Sequence, residues 1–233
     1  MNVASKIYRN DGNPSVLSLV PLAARTVLDV GCGAGDNAAI LASRGVAVDG
    51  ITISVAEAET SATACRRVIV HDLERGLPLG LAESYDCCLC SHVLEHICWP
   101  EQLLYDILRV LLPSNAPLIV ALPNFLFVKE RLRLLHGDFH YEPSGLWDET
   151  HFRWYTYSGG RKLLETHGFD VLHSSASGVC PLRPIRRLAP RLAKKFDAVV
   201  CRLWPGLFGL QFIYVARPKM NFSRNDDRAC AFR

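Results

Sequence analysis

The chain has 233 residues, of which 49% are hydrophobic and 21% are charged, and its formal net charge is +3. This length and composition suit one globular α/β domain with a buried core. The small net charge gives no indication of a nucleic-acid partner, so none is expected. The polar first 15 residues lack the apolar segment of a signal peptide. No stretch approaches the roughly 20 apolar residues of a membrane span. The sequence therefore predicts a cytoplasmic protein.

Nine cysteines are present, which is a high and odd number. Their spacing contains no repeated C-x₂-C pair of the kind that zinc sites use. Cys87, Cys88 and Cys90 crowd one apolar run, where free cysteines pack as small hydrophobes. We therefore expect reduced cysteines and no metal site.

Short β-rich runs alternate with longer helical stretches along the chain. The strand candidates are residues 26–30, 46–53, 67–71, 85–91, 117–122, 169–174 and 209–216, and the helix candidates are residues 36–44, 55–64, 100–112 and 158–167. This alternation predicts an α/β fold, a parallel sheet with helices on both faces. A single domain is expected over residues 1–218, and the polar, aperiodic stretch 219–233 is expected to be disordered.

Two segments interrupt the alternation. Residues 124–158 are rich in aromatic and histidine residues, and residues 178–206 contain four prolines. Insertions at the strand ends of α/β sheets are where substrate pockets are usually built. Both segments are therefore predicted to lie on the substrate side.

The second insertion contains a basic amphipathic stretch, residues 181–204, with seven basic residues and one acidic residue. Its apolar residues recur at helical intervals: Leu182, Ile185, Leu188, Leu192, Phe196, Val199, Val200 and Leu203. One interpretation is a surface helix that packs its apolar stripe on the sheet. The other is a helix that lies on an anionic membrane surface or grips a phosphorylated substrate. The sequence gives no indication of the oligomeric state.

The strand candidate at residues 26–30 runs into three glycines at alternate positions, Gly31, Gly33 and Gly35. Glycine permits positive φ and a close approach of the backbone to a ligand, and the N-terminus of the following helix would face that ligand. Dinucleotide-binding folds use G-x-G-x-x-G and hold a pyrophosphate, which the carboxylate of Asp29 would repel. The spacing thus favours a nucleoside ligand with a cationic end.

The Asp-x-Gly-Cys-Gly-x-Gly stretch at 29–35 resembles motif I of the class I S-adenosylmethionine-dependent methyltransferases. His-Asp-Leu at 71–73 is similar to the end of the family's third strand. Three later segments are similar to the subgroup of the ubiquinone-biosynthesis type: Val-Leu-Glu-His at 93–96, Arg-Val-Leu-Leu-Pro at 109–113 and Leu-Pro-Asn at 122–124. The resemblance covers about residues 26–175. It implies a seven-stranded Rossmann-like sheet of order 3-2-1-4-5-7-6 with an antiparallel seventh strand. It also implies S-adenosylmethionine as the cofactor and S-adenosylhomocysteine as the product.

The same resemblance implies a cofactor site at the ends of the first four strands. The glycines would wrap the methionine and ribose portion, Asp72 would accept from the adenine amino group, and Ser91 would lie beside the sulfonium. The implied cofactor-binding residues are Asp29, Gly31, Cys32, Gly33, Gly35, Thr52, Ile53, Asp72, Leu73 and Ser91. The alternative for Asp72 is an ordinary turn residue at a strand end.

One position departs from the family. The second strand usually ends in a carboxylate that holds both ribose hydroxyls, but here Gly-Ile-Thr-Ile-Ser at 50–54 puts Thr52 there. A hydroxyl makes one hydrogen bond where a carboxylate accepts two charge-assisted ones. The form also resembles the cyclopropane-synthase and glycine-methylating branches. Asp49 would replace Thr52 only with a register slip that turns it to the other face, so Thr52 is preferred.

Residues 137–156 are the densest cluster of polar and aromatic side chains, and they are similar to a stretch of methyltransferases linked with polysaccharide or small-metabolite pathways. A hydroxyl acceptor needs a base, usually a histidine near neutral pH. His151, with Asp148 orienting its imidazole, is the first candidate base and His140 is the second. The predicted substrate contacts are His96, Trp147, Arg153 and Tyr155. The alternative is structural: a buttress for the next helix at 150–151, an ion pair of Arg153, core aromatics and a capping His96.

Together these features predict methyl transfer from S-adenosylmethionine to a small-molecule or lipid-linked sugar acceptor, on oxygen. A non-catalytic partner or regulatory subunit that binds the same cofactor stays open, because Thr52 is unusual and the base is not fixed. A nicotinamide oxidoreductase is disfavoured by the glycine spacing.

Overall fold

The computed structural model describes residues 11–82, 84–179 and 189–221. Most of the predicted tail, from residue 222 onward, and residues 181–188 of the predicted basic stretch lie outside the described residues.

Seven strands and eight helices are described, together with two short 3-10 helices at Leu73–Arg75 and Leu94–His96. The strands are β1 (Thr26–Val30), β2 (Ala47–Thr52), β3 (Arg67–Val70), β4 (Cys87–Ser91), β5 (Leu118–Pro123), β6 (Phe169–Gly178) and β7 (Gly209–Pro218). The helices are α1 (Pro14–Leu17), α2 (Asp36–Ala42), α3 (Val55–Ser61), α4 (Pro100–Leu111), α5 (Val128–Leu135), α6 (Tyr157–Thr166), α7 (Pro190–Leu203) and α8 (Pro205–Phe208).

The strands form one sheet in the order β3-β2-β1-β4-β5-β7-β6, which confirms the predicted order. The pairs among β1 to β5 are parallel, and β7 inserts antiparallel between β5 and β6. The carboxyl ends of the parallel strands therefore meet at one edge of the sheet, where ligands bind in α/β folds.

Helices cover both faces of the sheet, as predicted. Neighbouring residues of β1 alternate between two clusters: Leu28 packs with Leu104 and Leu108 of α4, and Val27 packs with Leu17 of α1 and Leu41 of α2. Each fully buried leucine contributes about 1.5–3 kcal/mol relative to an exposed one. The two clusters hold the strand ends that carry the site.

Most predicted boundaries differ from the observed ones by one to three residues, but β6 is longer than predicted. The prediction ended at residue 174, whereas β6 runs to Gly178 because Ser175–Ser177 pair with β7. Serine and glycine have low β propensity, so tertiary pairing decides this extension.

Two further findings concern the cysteines and the helices. The seven cysteines in the described ranges are all free thiols, and Cys87, Cys88 and Cys90 are fully buried as predicted. Within the described part of the chain, no helix combines the length and hydropathy needed to cross a bilayer.

Candidate active site

The loop after β1 adopts a backbone conformation that requires its glycines. Gly31, Gly33 and Gly35 have φ values of +77°, +53° and +86°, a region that residues with a side chain rarely adopt. A Cβ on Gly31 would overlap Val93 Cγ2, and one on Gly35 would lie 2.8 Å from Ser61 Cβ. The N–H groups of Gly31 and Cys32 donate to Ile51 O at 2.9 and 2.8 Å, which ties the loop to β2. The loop is thus a fixed cradle at the sheet edge.

Cys32, which was predicted in the cofactor set, belongs to the packing under this loop. Its thiol is buried, and a Cβ on Gly50 of β2 would lie 2.6 Å from its Sγ. A hydrogen bond with Cys65, followed by burial, raises the pKa of Cys32. Its side chain therefore supports the loop from below, while its backbone remains part of the cradle.

Asp29 lies one residue before the end of β1, and its side chain is only 1% exposed. Neither carboxylate oxygen has a hydrogen-bond partner among the described residues. Burial raises its pKa to about 7. A buried carboxylate without partners is costly, and an ammonium group placed beside it would relieve that cost. The cradle therefore fits a ligand with a cationic end.

At the end of β2, Thr52 is buried and paired with a carboxylate. Its Oγ1 donates to Glu57 Oε2 at 2.5 Å and accepts from the Ser54 N–H at 3.2 Å. Glu57 lies in the first turn of α3 and is only 4% exposed. A buried carboxylate thus lies beside Thr52, although position 52 itself carries only a hydroxyl. The next predicted residue, Ile53, is 44% exposed where the chain turns into α3.

The alternative residue for that position, Asp49, has a different environment. Its carboxylate accepts from Arg66 Nε and Nη2 at 2.8 and 2.7 Å and from the Tyr85 hydroxyl at 2.9 Å. Burial opposes its ionisation, but the hydrogen bonds from Arg66 and Tyr85 hold the pKa of Asp49 below its ordinary value. Asp49 is therefore fully engaged in a structural ion pair within the sheet.

Asp72 follows β3 at the same edge. Its Oδ1 accepts from the Glu74 N–H at 3.1 Å, so it caps the 3-10 helix that begins at the buried residue Leu73. The carboxylate is 43% exposed. This is the turn role weighed as the alternative, and the exposed oxygen remains accessible to a ligand.

A polar network closes the site where β4 ends. Gln211 of β7 donates to Asn13 Oδ1 and Ser177 Oγ, each at 3.1 Å. Gln211 Oε1 accepts from Asn13 Nδ2 at 2.8 Å and lies 2.9 Å from His92 Nε2. Asn13 Nδ2 also lies 3.3 Å from Ser91 Oγ. Three strands and the residue before α1 thus share one set of hydrogen bonds at the predicted sulfonium end of the site.

His92 itself has an uncommon backbone. Its φ is +59°, and its N–H donates to Ala121 O at 3.0 Å. A non-glycine residue in this region costs about 1–3 kcal/mol and is commonly found at functional sites. The positive φ turns the chain out of β4 and into the 3-10 helix that carries Glu95 and His96.

Two imidazoles, which the sequence separates by 55 positions, lie together beyond β4. The ring centroids of His96 and His151 are 4.6 Å apart. His151 Nδ1 lies 3.1 Å from Leu146 O, and His96 Nδ1 lies 3.1 Å from Thr150 O. A backbone carbonyl only accepts, so each ring donates from Nδ1, and Nε2 is the nitrogen that would accept a further proton. Burial lowers the pKa of His96 by more than the nearby carboxylate of Glu95 raises it, which keeps this imidazole neutral near pH 7.

The predicted contact between Asp148 and His151 is replaced by a different arrangement. Asp148 is buried, and its Oδ1 accepts from the Thr150 N–H at 2.9 Å and from the Thr150 hydroxyl at 2.7 Å. Thr150 Oγ1 in turn lies 2.9 Å from His96 Nδ1. The carboxylate thus orients the first imidazole through a threonine, because the turn at 148–151 directs the His151 ring toward Leu146 instead.

Glu95 lies beside the imidazole pair and is fully buried. Neither of its carboxylate oxygens has a hydrogen bond with the described residues, although His92 Nδ1 lies 3.3 Å from Oε1. One ligand atom each from Glu95, His96 and His151 lie within 4.8 Å of one another. Two imidazoles and a carboxylate are a donor set that zinc and non-haem iron accept. These residues could hold a divalent cation, which the cysteine and histidine spacing did not predict.

The other predicted acceptor-side residues lie around this pair rather than in it. His140 is 59% exposed, in a surface network with Asp138, Arg133 and Glu142. Arg153 Nε donates to Cys98 O at 2.6 Å, and its guanidinium lies over the Trp99 ring at 5.4 Å. Trp147 and Tyr155 are buried, the first donating to Glu130 Oε2 and the second to Leu94 O. Trp147 and Tyr155 are therefore core aromatics, as in the alternative interpretation. Arg153 contacts a backbone carbonyl and an aromatic ring where that interpretation expected an ion pair.

Sequence reasoning missed Glu57, Asn13, His92, Glu95 and Gln211. Glu57 had a local signal, since Ser54-x-x-Glu57 is a capping-box pattern. Glu95 lies in the Val-Leu-Glu-His segment that carried the resemblance, but no role was assigned to it. Asn13, His92 and Gln211 come together through the sheet, as in the hydrogen bonds between Asn13 and Gln211, which are 198 positions apart. No spacing rule brings such residues together.

Comparison with known sequences agrees with this fold. A family model described as a methyltransferase domain matches residues 7–174. The chain is 31% identical over 134 residues to the bifunctional methionine biosynthesis protein MetXA/MetW of Rhodopirellula baltica, covering 54% of this chain and 21% of that protein. It is 32% identical over 110 residues to the ubiquinone biosynthesis O-methyltransferase of Paracidovorax citrulli, covering 42% and 43%. The chain thus spans less than half the length of these curated relatives.

Comparison with solved structures shows the same architecture. A SAM-dependent methyltransferase from Archaeoglobus fulgidus superposes with a TM-score of 0.60 at 18% identity, covering 84% of this chain and 86% of that one. At this identity the likeness concerns the fold.

Proposed function

The chain belongs to the family of methyltransferase domains, and on that premise we propose that it moves a methyl group from S-adenosylmethionine to an oxygen atom of a small-molecule or lipid-linked sugar acceptor. The observation that carries the proposal is Asp29, a buried carboxylate with no partner among the described residues, beside the glycine cradle. The methionine portion of the cofactor carries a positively charged ammonium group, which would give this carboxylate the partner that the described residues do not provide.

Different residues at the sheet edge would bind different parts of the cofactor. The cradle at residues 31–35 would hold the methionine and ribose portion through its backbone, and Asp29 would accept from the ammonium group. Glu57 and Thr52 would meet the ribose hydroxyls, because they supply a carboxylate and a hydroxyl at the end of β2. Asp72 would accept from the adenine amino group with its exposed oxygen. When bound, S-adenosylmethionine supplies an electrophilic methyl group.

The imidazole pair could supply the base that a hydroxyl acceptor requires. A hydroxyl becomes a competent nucleophile as its proton is taken by a base. Each imidazole donates from Nδ1 to a backbone carbonyl, so Nε2 is the nitrogen that would accept a proton, and the lowered pKa of His96 keeps that ring unprotonated near neutral pH. We assign proton acceptance to His151, with His96 beside it held by Thr150 and Asp148. Holding the acceptor oxygen in line with the methyl group accounts for much of the remaining rate.

Two observations support the acceptor class. The curated relative from Paracidovorax citrulli is named as an O-methyltransferase, which favours oxygen. Exposed aromatic side chains also surround the segment that carries His151, namely Phe139, Tyr141, Phe152 and Trp154. Exposed aromatic surface of this kind suits an acceptor with an apolar portion.

The test has a binding step and a turnover step. Calorimetric titration should detect S-adenosylhomocysteine binding and no NAD binding. Methyl-labelled S-adenosylmethionine, incubated with fractionated metabolites and lipid-linked sugars, should then transfer label to a hydroxyl. Binding of NAD instead of S-adenosylhomocysteine would refute the proposal. Cofactor binding with no transfer to any fraction would identify a non-catalytic binding partner instead.

A further inference from the structure

Helix α7 carries two distinct apolar faces. Ala193, Val200 and Cys201 are buried on the face where the helix packs against β6. Leu192, Phe196, Val199 and Leu203 are instead 65%, 46%, 54% and 60% exposed. One of the two interpretations of the sequence packed the whole apolar stripe on the sheet, but in the structure the sheet covers only part of the apolar residues of α7.

The exposed residues form one line along the helix. They follow one another at intervals of four, three and four, which places side chains on the same face of an α-helix. Trp204, at the end of α7, is 56% exposed. A continuous exposed apolar stripe is uncommon on a protein surface and marks an interaction site.

Basic residues flank this stripe on one side. Arg191, Lys195 and Arg202 are exposed and lie at intervals of four and seven, so they form a second line beside the first. The acidic residue of α7 is Asp197, which is buried on the opposite face. The outward surface of α7 is therefore apolar and positively charged, without an exposed acidic residue.

We propose that α7 docks on an anionic phospholipid bilayer. Leu192, Phe196, Val199 and Leu203 enter the boundary between headgroups and acyl chains, while the basic line contacts the headgroup phosphates. This is how amphipathic helices bind membrane interfaces. A second copy of the chain suits this surface less. Two α7 helices paired through it would bring their basic residues together, and α7 has no exposed acidic residue to offset that repulsion.

The position of α7 relates the docking surface to the candidate site. The helix leads into α8, and Gly206 O of α8 accepts from Asn124 Nδ2 at 3.1 Å and from Arg131 Nη2 at 3.0 Å. Asn124 directly follows β5, so α7 ends at the sheet edge that carries the glycine cradle. Docking brings that edge toward the lipid surface. Resting on the proposed function, this favours the lipid-linked acceptor over a freely diffusing one.

Vesicle co-sedimentation tests the docking itself. The full chain should sediment with vesicles of phosphatidylcholine and phosphatidylglycerol at low salt, and should sediment much less with pure phosphatidylcholine or at high salt, because screening weakens the headgroup contacts. No binding to the phosphatidylglycerol vesicles at low salt overturns the proposal. This assay needs neither cofactor nor turnover, so its failure leaves the proposed function intact.

Two pairs of substitutions assign the binding to α7. We expect Leu192→Glu with Phe196→Glu, and separately Lys195→Gln with Arg202→Gln, to reduce partitioning at least about tenfold. Leu79→Glu is the matched control, because Leu79 is 96% exposed outside α7, and it should bind vesicles like the wild type. Equal binding by the α7 variants and the wild type overturns the proposal.

Fluorescence and light scattering complete the assignment. Brominated lipids should quench the emission of Trp204, and Trp204→Phe should remove that quenched component. Absence of such a component overturns the proposed depth. A wild-type dimer that Leu192→Glu converts to monomer, with vesicle binding unchanged, would assign the stripe to self-association and likewise overturn the proposal. All variants should retain S-adenosylhomocysteine binding, since α7 contributes no residue to the cradle.

Discussion

The backbone fixes the geometry of the cofactor half of the site, whereas distant side chains hold one another in the acceptor half. Around the glycine loop, three positive φ values and the contacts with β2 leave little space for a side chain. Around the imidazole pair, His96 depends on Thr150, and the N–H groups of Phe152 and Arg153 donate to Glu95 O. We therefore expect changes in the cofactor half to weaken or abolish cofactor binding, and changes in the acceptor half to reduce turnover while cofactor binding persists.

The largest effect is expected from Gly31→Ala. The new Cβ would overlap Val93, and the alanine would also have to adopt a φ of +77°. S-adenosylhomocysteine binding should therefore fall below detection in calorimetry. The backbone strain should also lower the free energy of unfolding by about 1–3 kcal/mol.

Gly45→Ala is the matched control for that change. Gly45 has a φ of +79°, but apart from its chain neighbours no described residue has an atom within 4 Å of the Cβ position. This variant should show the backbone destabilisation with unchanged cofactor affinity. Wild-type affinity in Gly31→Ala would contradict the close-fitting cradle.

The next effect concerns the acceptor half. His151→Asn should lower kcat by about 10²- to 10⁴-fold, the usual contribution of a general base, with the Kd for S-adenosylhomocysteine unchanged. His96→Asn should lower kcat by less, because His96 lies beside the base and does not itself take the proton. His173→Asn, on exposed β6, should leave both quantities unchanged. If a chelator abolished wild-type turnover and added metal restored it, the imidazoles would be metal ligands rather than the base.

Asp29→Asn should raise the stability of the protein without ligand at pH 8 while it weakens cofactor binding. Because burial raises the folded-state pKa to about 7 from 3.8, the folded state binds more protons than the unfolded state between these values. The contribution of Asp29 to the free energy of unfolding without ligand therefore falls as pH rises from about 4 to about 7. Thermal unfolding should show that the variant lacks this decline and melts higher than the wild type at pH 8.

The same variant should bind S-adenosylhomocysteine about 10- to 100-fold more weakly, since a hydrogen bond to a charged group contributes about 1.5–3 kcal/mol. An unchanged affinity would remove Asp29 from the cofactor site. An unchanged pH dependence of melting would mean that the carboxylate is solvated in the protein without ligand.

The smallest effect is expected from Glu57→Gln. The amide preserves the shape of the side chain but loses the charge that pairs with ribose hydroxyls, so affinity should fall about tenfold. Glu59→Gln is the control, because Glu59 is exposed on the same helix. Identical calorimetric affinities for the two variants would leave Thr52 as the residue at the ribose.

The fold was predictable because its signals are local. The alternation of apolar runs and the glycines at 31, 33 and 35 lie within a few residues of one another, and the family resemblance supplied the strand order. Even the departure at Thr52 was readable, although its partner Glu57 was missed.

The acceptor half was less predictable because its contacts are tertiary. Histidine at 151 was recognised as important, but its neighbour in space is His96, and Asp148 acts on Thr150. The direction of the turn at 148–151 decides that Thr150 O faces the His96 ring and Leu146 O faces the His151 ring. Short-range spacing in the sequence does not specify that direction. The exposure of the apolar stripe on α7 was unpredictable for the same reason, since periodicity alone does not say which apolar residues the sheet covers.

The hydrogen bonds of Gln211 also have a consequence for the order of events during synthesis. Asn13, Ser91 and His92 emerge from the ribosome long before the strand that supplies Gln211, and β7 must still insert between β5 and β6. Contacts between such distant residues form slowly, because a long chain must close before they contribute. A nascent chain can therefore fold its glycine loop early and yet lack one wall of the site, so competence for chemistry should appear only in the final phase of folding.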